Sequence, residues 1–183
     1  MCIIVEGPDN SGKSTLAKFI AGQNQLIQES EGPPKWRGEI VERIDKYSSF
    51  PDDTIFVRHP AVSNPIYDET RPDHLKDPIP LHVLAEFYGQ NNLFIYCDPL
   101  NRGMSGHEVK GPAVETEEHV HRIALHRDVI ITLYRKWAIQ HAHVIYRIGD
   151  DMEFVKGIVY DWPILPAHRN AEFVRPLLES KKP

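Results

Sequence analysis

Eight residues near the N-terminus, Gly7-Pro8-Asp9-Asn10-Ser11-Gly12-Lys13-Ser14, constrain this chain more than any other stretch. They fit the pattern G-x-x-x-x-G-K-[ST] at every fixed position. The flanks fit as well. Cys2-Ile3-Ile4-Val5 reads as a short buried strand, and Lys13 to Ala21 reads as a helix. Gly7 and Gly12 permit backbone angles that a side chain forbids, so successive N–H groups can turn toward an anion. The N-terminus of the following helix adds its positive dipole end. A strand, a glycine turn and a helix in this order make a phosphate cradle. The pattern predicts that Gly7, Pro8, Asn10, Ser11, Gly12, Lys13, Ser14 and Thr15 hold ATP, with Lys13 on the β- and γ-phosphates and the Ser14 hydroxyl on Mg²⁺.

Elsewhere strands and helices alternate, which predicts an α/β fold: a three-layer P-loop NTPase fold, with a parallel sheet flanked by helices. Gln25 to Gln28 reads as a short strand, Trp36 to Tyr47 as a helix with Ile40, Val41 and Ile44 on one face, and Thr54 to Val57 as a strand. Prolines 60, 65, 72, 78 and 80 predict an ordered surface loop over residues 60–80. Leu81 to Tyr88 reads as a helix, and the apolar run Leu93 to Cys97 as a strand ending at Asp98. Residues 99–116, rich in glycine and charge, have the composition of a lid. Glu117 to Gln140 reads as the longest helix, His143 to Arg147 as a strand, and Asp150-Asp151 as the start of a helix to about Val159. The tail from Tyr160 receives no role. All 183 residues are read as a single domain.

With 26 acidic and 21 basic residues the net charge is −5, so no general electrostatic pull toward nucleic acid is expected. No apolar run reaches the length of a membrane span, and the N-terminus lacks signal-peptide features. Cys2 and Cys97 fall in predicted buried strands and are expected to be reduced, which points to the cytoplasm (a host's cytoplasm, were the chain phage-encoded). No Asn-Lys-x-Asp motif for reading guanine is present, and the chain is small for a motor. A small P-loop domain with a lid suits a kinase, because lid closure keeps water from intercepting the γ-phosphoryl group.

The stretch Val5-Glu6-Gly7-Pro8-Asp9-Asn10-Ser11-Gly12-Lys13-Ser14-Thr15 resembles the opening of thymidylate kinases. Arg58-His59-Pro60-Ala61-Val62-Ser63-Asn64-Pro65-Ile66-Tyr67 is similar to the R-H-P-x-x-S-x-P-x-Y run of thymidylate-kinase-like bacteriophage proteins. Ile95-Tyr96-Cys97-Asp98-Pro99 resembles the family strand that ends in Asp before the lid. The resemblance spans roughly residues 1–150. It implies that Asp9 contacts the acceptor sugar, that Arg58 grips the acceptor phosphate, and that Ser63 and Tyr67 line the acceptor pocket. A guanidinium suits that task chemically, because it binds phosphate bidentately and holds it in line for transfer.

Where the family carries an acid before this arginine, the chain has Val57. Asp98 or Glu6 then takes over the organisation of magnesium; Asp98, ending its apolar run, has the Walker B pattern. Among cations, Arg102 in the lid is the arginine expected to join on closure. Arg127 falls on the apolar stripe of the long helix (Val120, Ile123, Ala124, Ile130, Ile131, Tyr134, Trp137, Ala138), a stripe that also offers a homodimer interface. His119, His121 and His126 do not complete a zinc site. Trp36 and Phe87 are expected in the core rather than stacked on a base.

The function read from these features is ATP- and Mg²⁺-dependent phosphoryl transfer to a deoxynucleoside monophosphate, dTMP or a related or modified pyrimidine. Two alternatives stay open. One is a kinase acting on a modified base or an end within DNA, such as 5-hydroxymethyluracil in phage DNA. The other is a nucleotide-binding partner protein without turnover.

Overall fold

A computed structural model describes residues 1–99 and 121–162, apart from residues 24 and 123. Five strands, β1 (Ile3–Glu6), β2 (Ile27–Glu29), β3 (Ile55–Val57), β4 (Leu93–Asp98) and β5 (Val144–Arg147), form one parallel sheet in the order β2-β3-β1-β4-β5. Between them run α1 (Lys13–Ile20), α2 (Glu39–Ser48), α3 (Pro60–Asp68), a 3₁₀ turn (Asp73–Leu75), α4 (Leu81–Gly89), α5 (Arg127–His141) and α6 (Met152–Asp161). The central strands β1, β3 and β4 are buried along their whole length, as a parallel sheet covered on both faces requires.

The two-residue period of the strands divides the core. Ile4, Phe56, Phe94 and Tyr96 point to the face covered by α2, α3, α4 and α5. Ile3, Val5, Ile55, Val57, Ile95 and Cys97 point to the other face, where Leu16, Ala17 and Ile20 of α1 meet Val155 and Val159 of α6. The first face is aromatic and the second mainly aliphatic. Helices on both faces of a parallel sheet complete the three-layer architecture read from the sequence. Cys97 is buried, Cys2 half-buried, and both are free thiols.

Four expectations are corrected. Residues 60–68 are a buried helix, not a surface loop. Pro60 stands in its first turn, where the missing N–H has no partner to lose, and only Pro65 removes a bond, to the Ala61 carbonyl. An interior proline costs about 3 kcal/mol. Burying Val62, Ile66 and Tyr67 at roughly 1.5–3 kcal/mol each outweighs that.

Second, α2 begins at Glu39 rather than Trp36, because Gly38 takes a left-handed conformation (φ 94°) just before it. Trp36 is therefore outside the helix and exposed, whereas Phe87 is buried as expected. Third, the long helix is interrupted: His126 (φ −101°, ψ 14°) leaves the helical region, and α5 starts at Arg127, which is half-buried. Fourth, the stripe residues Ile130, Tyr134, Trp137 and Ala138 are spent in the chain's own core, so they offer no dimer face. The predicted lid beyond Pro99, with Arg102, lies outside the described residues, as does the tail beyond residue 162.

Candidate active site

The P-loop leaves the C-terminal end of β1 and feeds the N-terminus of α1. Gly7 has φ 147°, and a Cβ there would stand 2.5 Å from the Cys97 carbonyl oxygen, so the turn passes β4 too closely for any side chain. Asn10 (φ 58°) and Gly12 (φ 85°) are also left-handed, which curls the backbone into a concave turn. No side chain caps α1, leaving its first amides available to an anion. Lys13 is buried, and its ammonium donates to the Pro8 carbonyl at 2.5 Å. Burial, then the neighbouring Arg58, lowers its pKa to about 8. The Ser14 hydroxyl donates to a Glu29 carboxylate oxygen at 3.4 Å. Hydroxyl and carboxylate oxygens at the base of the loop are the donor set of a hard cation such as Mg²⁺.

Beside the loop, under the C-terminal ends of β2 and β3, lies a cavity whose walls include Asp9, Arg58, Ser63 and Tyr67. The structure thus brings together the four residues that the sequence marked for the acceptor. Arg58 follows β3 in a left-handed conformation (φ 65°) and donates to Asp9 at 2.5 Å. Its guanidinium carbon lies 5.3 Å from the centre of the Tyr67 ring, and the Tyr67 hydroxyl donates to the other Asp9 oxygen at 3.4 Å. Burial works against ionisation of Asp9, but Arg58 and Lys13 prevail and hold its carboxyl below the usual range. Arg58 keeps its charge, its pKa raised further by Tyr67 and Asp9 despite burial.

Behind this pair, Glu6 is fully buried and accepts from the His59 backbone N–H (2.6 Å) and the Tyr134 hydroxyl (3.2 Å). Burial raises its pKa to about 7. With both oxygens engaged in the interior, Glu6 anchors β1 to the start of α3 and is not available to a metal. Asp98, at the end of β4, accepts from Arg135 at 3.0 Å.

Sequence reasoning missed several cavity residues. Arg43 and Asn64 come from α2 and α3, and Arg71 follows α3. Arg71 donates to Asn64 and Asp68, both at 2.5 Å. Arg43 is held by Glu39 and donates to the carbonyls of Gly32 (2.6 Å) and Pro33 (3.3 Å). Outside the cavity, Glu29, which faces Ser14, lies one residue beyond the strand that the sequence predicts. The signal in the sequence was Glu29 at the C-terminal end of a strand, where α/β sites gather.

No protein-family model matches the sequence, and no curated protein sequence matches it. Solved structures do. The YorR protein of Bacillus subtilis, solved in complex with phosphorylated GDP, superposes with a TM-score of 0.62 over 92% of this chain and 98% of its own, at 17% identity. This chain has a P-loop NTPase fold. A deoxyadenosine kinase from M. mycoides, solved with dCMP and a flexible dCDP, aligns over 90% of this chain and 99% of its own, with a TM-score of 0.49 and 14% identity. No helix among the described residues is long and apolar enough to cross a membrane.

Proposed function

We propose that this chain is an ATP-dependent kinase of deoxynucleoside monophosphates. One observation carries the reading: a phosphate loop with its lysine buried in place contributes Asp9 to the wall of a neighbouring cavity that also holds Arg43, Arg58 and Arg71. A loop for the donor's phosphates and an arginine-lined cavity for the acceptor's phosphate abut each other, as in-line transfer demands. The YorR structure, with its bound phosphorylated GDP, supports a nucleotide in a fold of this kind. The thymidylate-kinase resemblance directs the choice of base to a pyrimidine.

In this mechanism the loop amides and α1 hold the donor phosphates, and Lys13 leaves the Pro8 carbonyl for the β- and γ-phosphate oxygens. The ammonium with a pKa of about 8 then gains an anionic partner and stays charged. Magnesium would be held by Ser14 with the Glu29 carboxylate beside it, and Asp98, at the end of β4, is the other candidate acid; when bound, the metal supplies charge neutralisation on the transferring phosphoryl group. Arg58, oriented by Asp9 and by the face of Tyr67, grips the acceptor phosphate. That phosphate is already an anion, so positioning and charge neutralisation suffice without a strong base.

The test is ADP release in a coupled assay with ATP–Mg²⁺ and, separately, dTMP, dUMP, 5-hydroxymethyl-dUMP, dCMP, dGMP and dAMP, with single- and double-stranded oligonucleotides as further arms. Turnover of one free monophosphate is expected, and Lys13→Ala should abolish it while the far-UV circular dichroism stays unchanged. Turnover on oligonucleotides alone, or undiminished turnover by Lys13→Ala, overturns the proposal.

A further inference from the structure

A nucleotide acceptor presents a flat base as well as a phosphate, and a base binds best against an open aromatic face. The cavity beside the P-loop has two tyrosines in its wall, and both are already partnered. Tyr47 stacks on Phe56, with ring centres 5.1 Å apart and planes inclined by 16°. Tyr67 carries the Arg58 guanidinium over one face and meets the edge of Tyr134. With both rings also buried, neither offers a base an open face.

Trp36 does. It is 54% exposed, far from the burial usual for so large an apolar side chain, and has no ring partner among the described residues. It sits in the segment joining β2 to α2, three residues after Pro33, and Gly32 and Pro33 are themselves part of the cavity wall. Both ends of that segment are fixed. Arg43 holds the Gly32 and Pro33 carbonyls, Asp77 accepts from the Gly38 N–H at 2.6 Å, and the Lys35 N–H donates to the Glu39 carboxylate. An exposed tryptophan on a backbone pinned at three points is not a loose surface residue. The segment is ordered before any ligand arrives, which lowers the entropic cost of using its aromatic ring.

We propose that Trp36 is the base platform of the acceptor site: its side chain swings over the mouth of the cavity and stacks on the base of the monophosphate held by Arg58. This rests on the monophosphate-kinase reading and adds the residue that grips the base. Stacking is indifferent to the pattern of base-edge donors and acceptors, so Trp36 contributes affinity for nucleotides as a class, and the choice among bases falls to the polar cavity wall.

The chain's three tryptophans make the test direct, because Trp137 and Trp162 are only 8% and 7% exposed. Acrylamide quenching of tryptophan emission in the full chain reports mainly on Trp36, with Trp36→Phe as the blank. Each monophosphate of the panel, added alone, is compared with ATP–Mg²⁺ alone. At least one monophosphate should protect Trp36 from the quencher, and ATP–Mg²⁺ should not. With the accepted monophosphate, Trp36→Ala should raise the acceptor KM roughly tenfold or more, leaving kcat and the KM for ATP near wild type. Trp36→Phe, which keeps a ring, should restore most of that loss.

If no monophosphate protects Trp36, or if Trp36→Ala leaves the acceptor KM unchanged, the inference is overturned. A monophosphate that turns over while Trp36 stays equally quenchable overturns the platform and leaves the kinase reading standing. Absence of turnover with every monophosphate removes the kinase reading itself.

Discussion

At the residue scale the most loaded position is Glu6, an acid with no exposure whose oxygens receive the His59 N–H and the Tyr134 hydroxyl. Burial lifts its pKa from 4.5 to about 7, against the pull of the amide, Arg58 and Lys13. The neighbouring His59 is shifted the other way: burial lowers its pKa from 6.5 to about 3, so the ring that accepts the Ala61 N–H stays neutral. These shifts have opposite consequences for stability. The folded chain holds the Glu6 proton more tightly than the unfolded chain does, so this contribution is complete below pH 4.5 and is lost as pH rises to about 7. For His59 the unfolded chain takes up the proton, so stability falls as pH drops from 6.5 to about 3. The two slopes oppose each other between 4.5 and 6.5, which hides both in the wild type. Glu6→Gln keeps an acceptor for the His59 amide and removes one slope. The difference in unfolding free energy, variant minus wild type, should climb with pH by up to about 1.4 kcal/mol per unit from 4.5 to about 7 and be flat outside that window. Urea titrations at a series of pH values measure it; parallel curves for the two proteins would remove the linkage.

At the scale of elements, the segment after α3 shows what holds the cavity beside the loop in shape. The Asp77 carboxylate accepts from the Gly38 N–H (2.6 Å) and the Ile40 N–H (2.9 Å) at the start of α2, while its carbonyl accepts from the Asn64 side chain at 2.8 Å. One acid therefore caps α2, complements its dipole and ties it to α3. Asp77→Ala leaves two backbone donors without that acceptor and should cost about 1–3 kcal/mol, read as a fall in Tm. Asp77→Asn, which keeps one acceptor oxygen, should lose less, and equal losses in the two variants would contradict the capping role. None of this was legible in the sequence. Five prolines between residues 60 and 80 spoke for irregular structure, and they outweighed a short apolar pattern at Ala61, Val62, Ile66 and Tyr67 that only burial turns into a helix. The start of α2 was misplaced for a related reason: Gly38 ends the pattern by its backbone angle, which a hydrophobic period does not register. By contrast α1, β4 and α6 were plain, each marked by its own local signal: the glycine loop, an unbroken apolar run and the capping Asp151.

At the scale of the whole molecule, the sheet separates two jobs. Its aliphatic face, with α1 and α6, backs the phosphate loop; its aromatic face, with α2, α3 and α5, backs the cavity. The layered fold and the loop were legible because each follows from residues adjacent in the chain. The arginine-lined wall was not, since Arg43, Arg58 and Arg71 converge only once α2 and α3 have packed together. The two sides meet at the contact between Asp9 in the loop and Arg58 after β3. If that contact divides donor from acceptor, variants on either side should fail in different ways. Arg58→Ala removes a charge-assisted grip of about 1.5–3 kcal/mol and should raise the acceptor KM by roughly ten- to a hundredfold. ATP–Mg²⁺ binding, measured by calorimetry, should stay within about threefold, because Lys13 and the loop amides are intact. Lys13→Ala should do the reverse, losing ATP affinity and turnover while the acceptor monophosphate still binds. Arg58 also lowers the Lys13 pKa, so its removal makes the Lys13 ammonium easier to keep charged and works against any loss of ATP affinity. A parallel loss of ATP and acceptor binding in Arg58→Ala would mean that the loop and the cavity form one undivided site, with Asp9 positioned for the donor by Arg58.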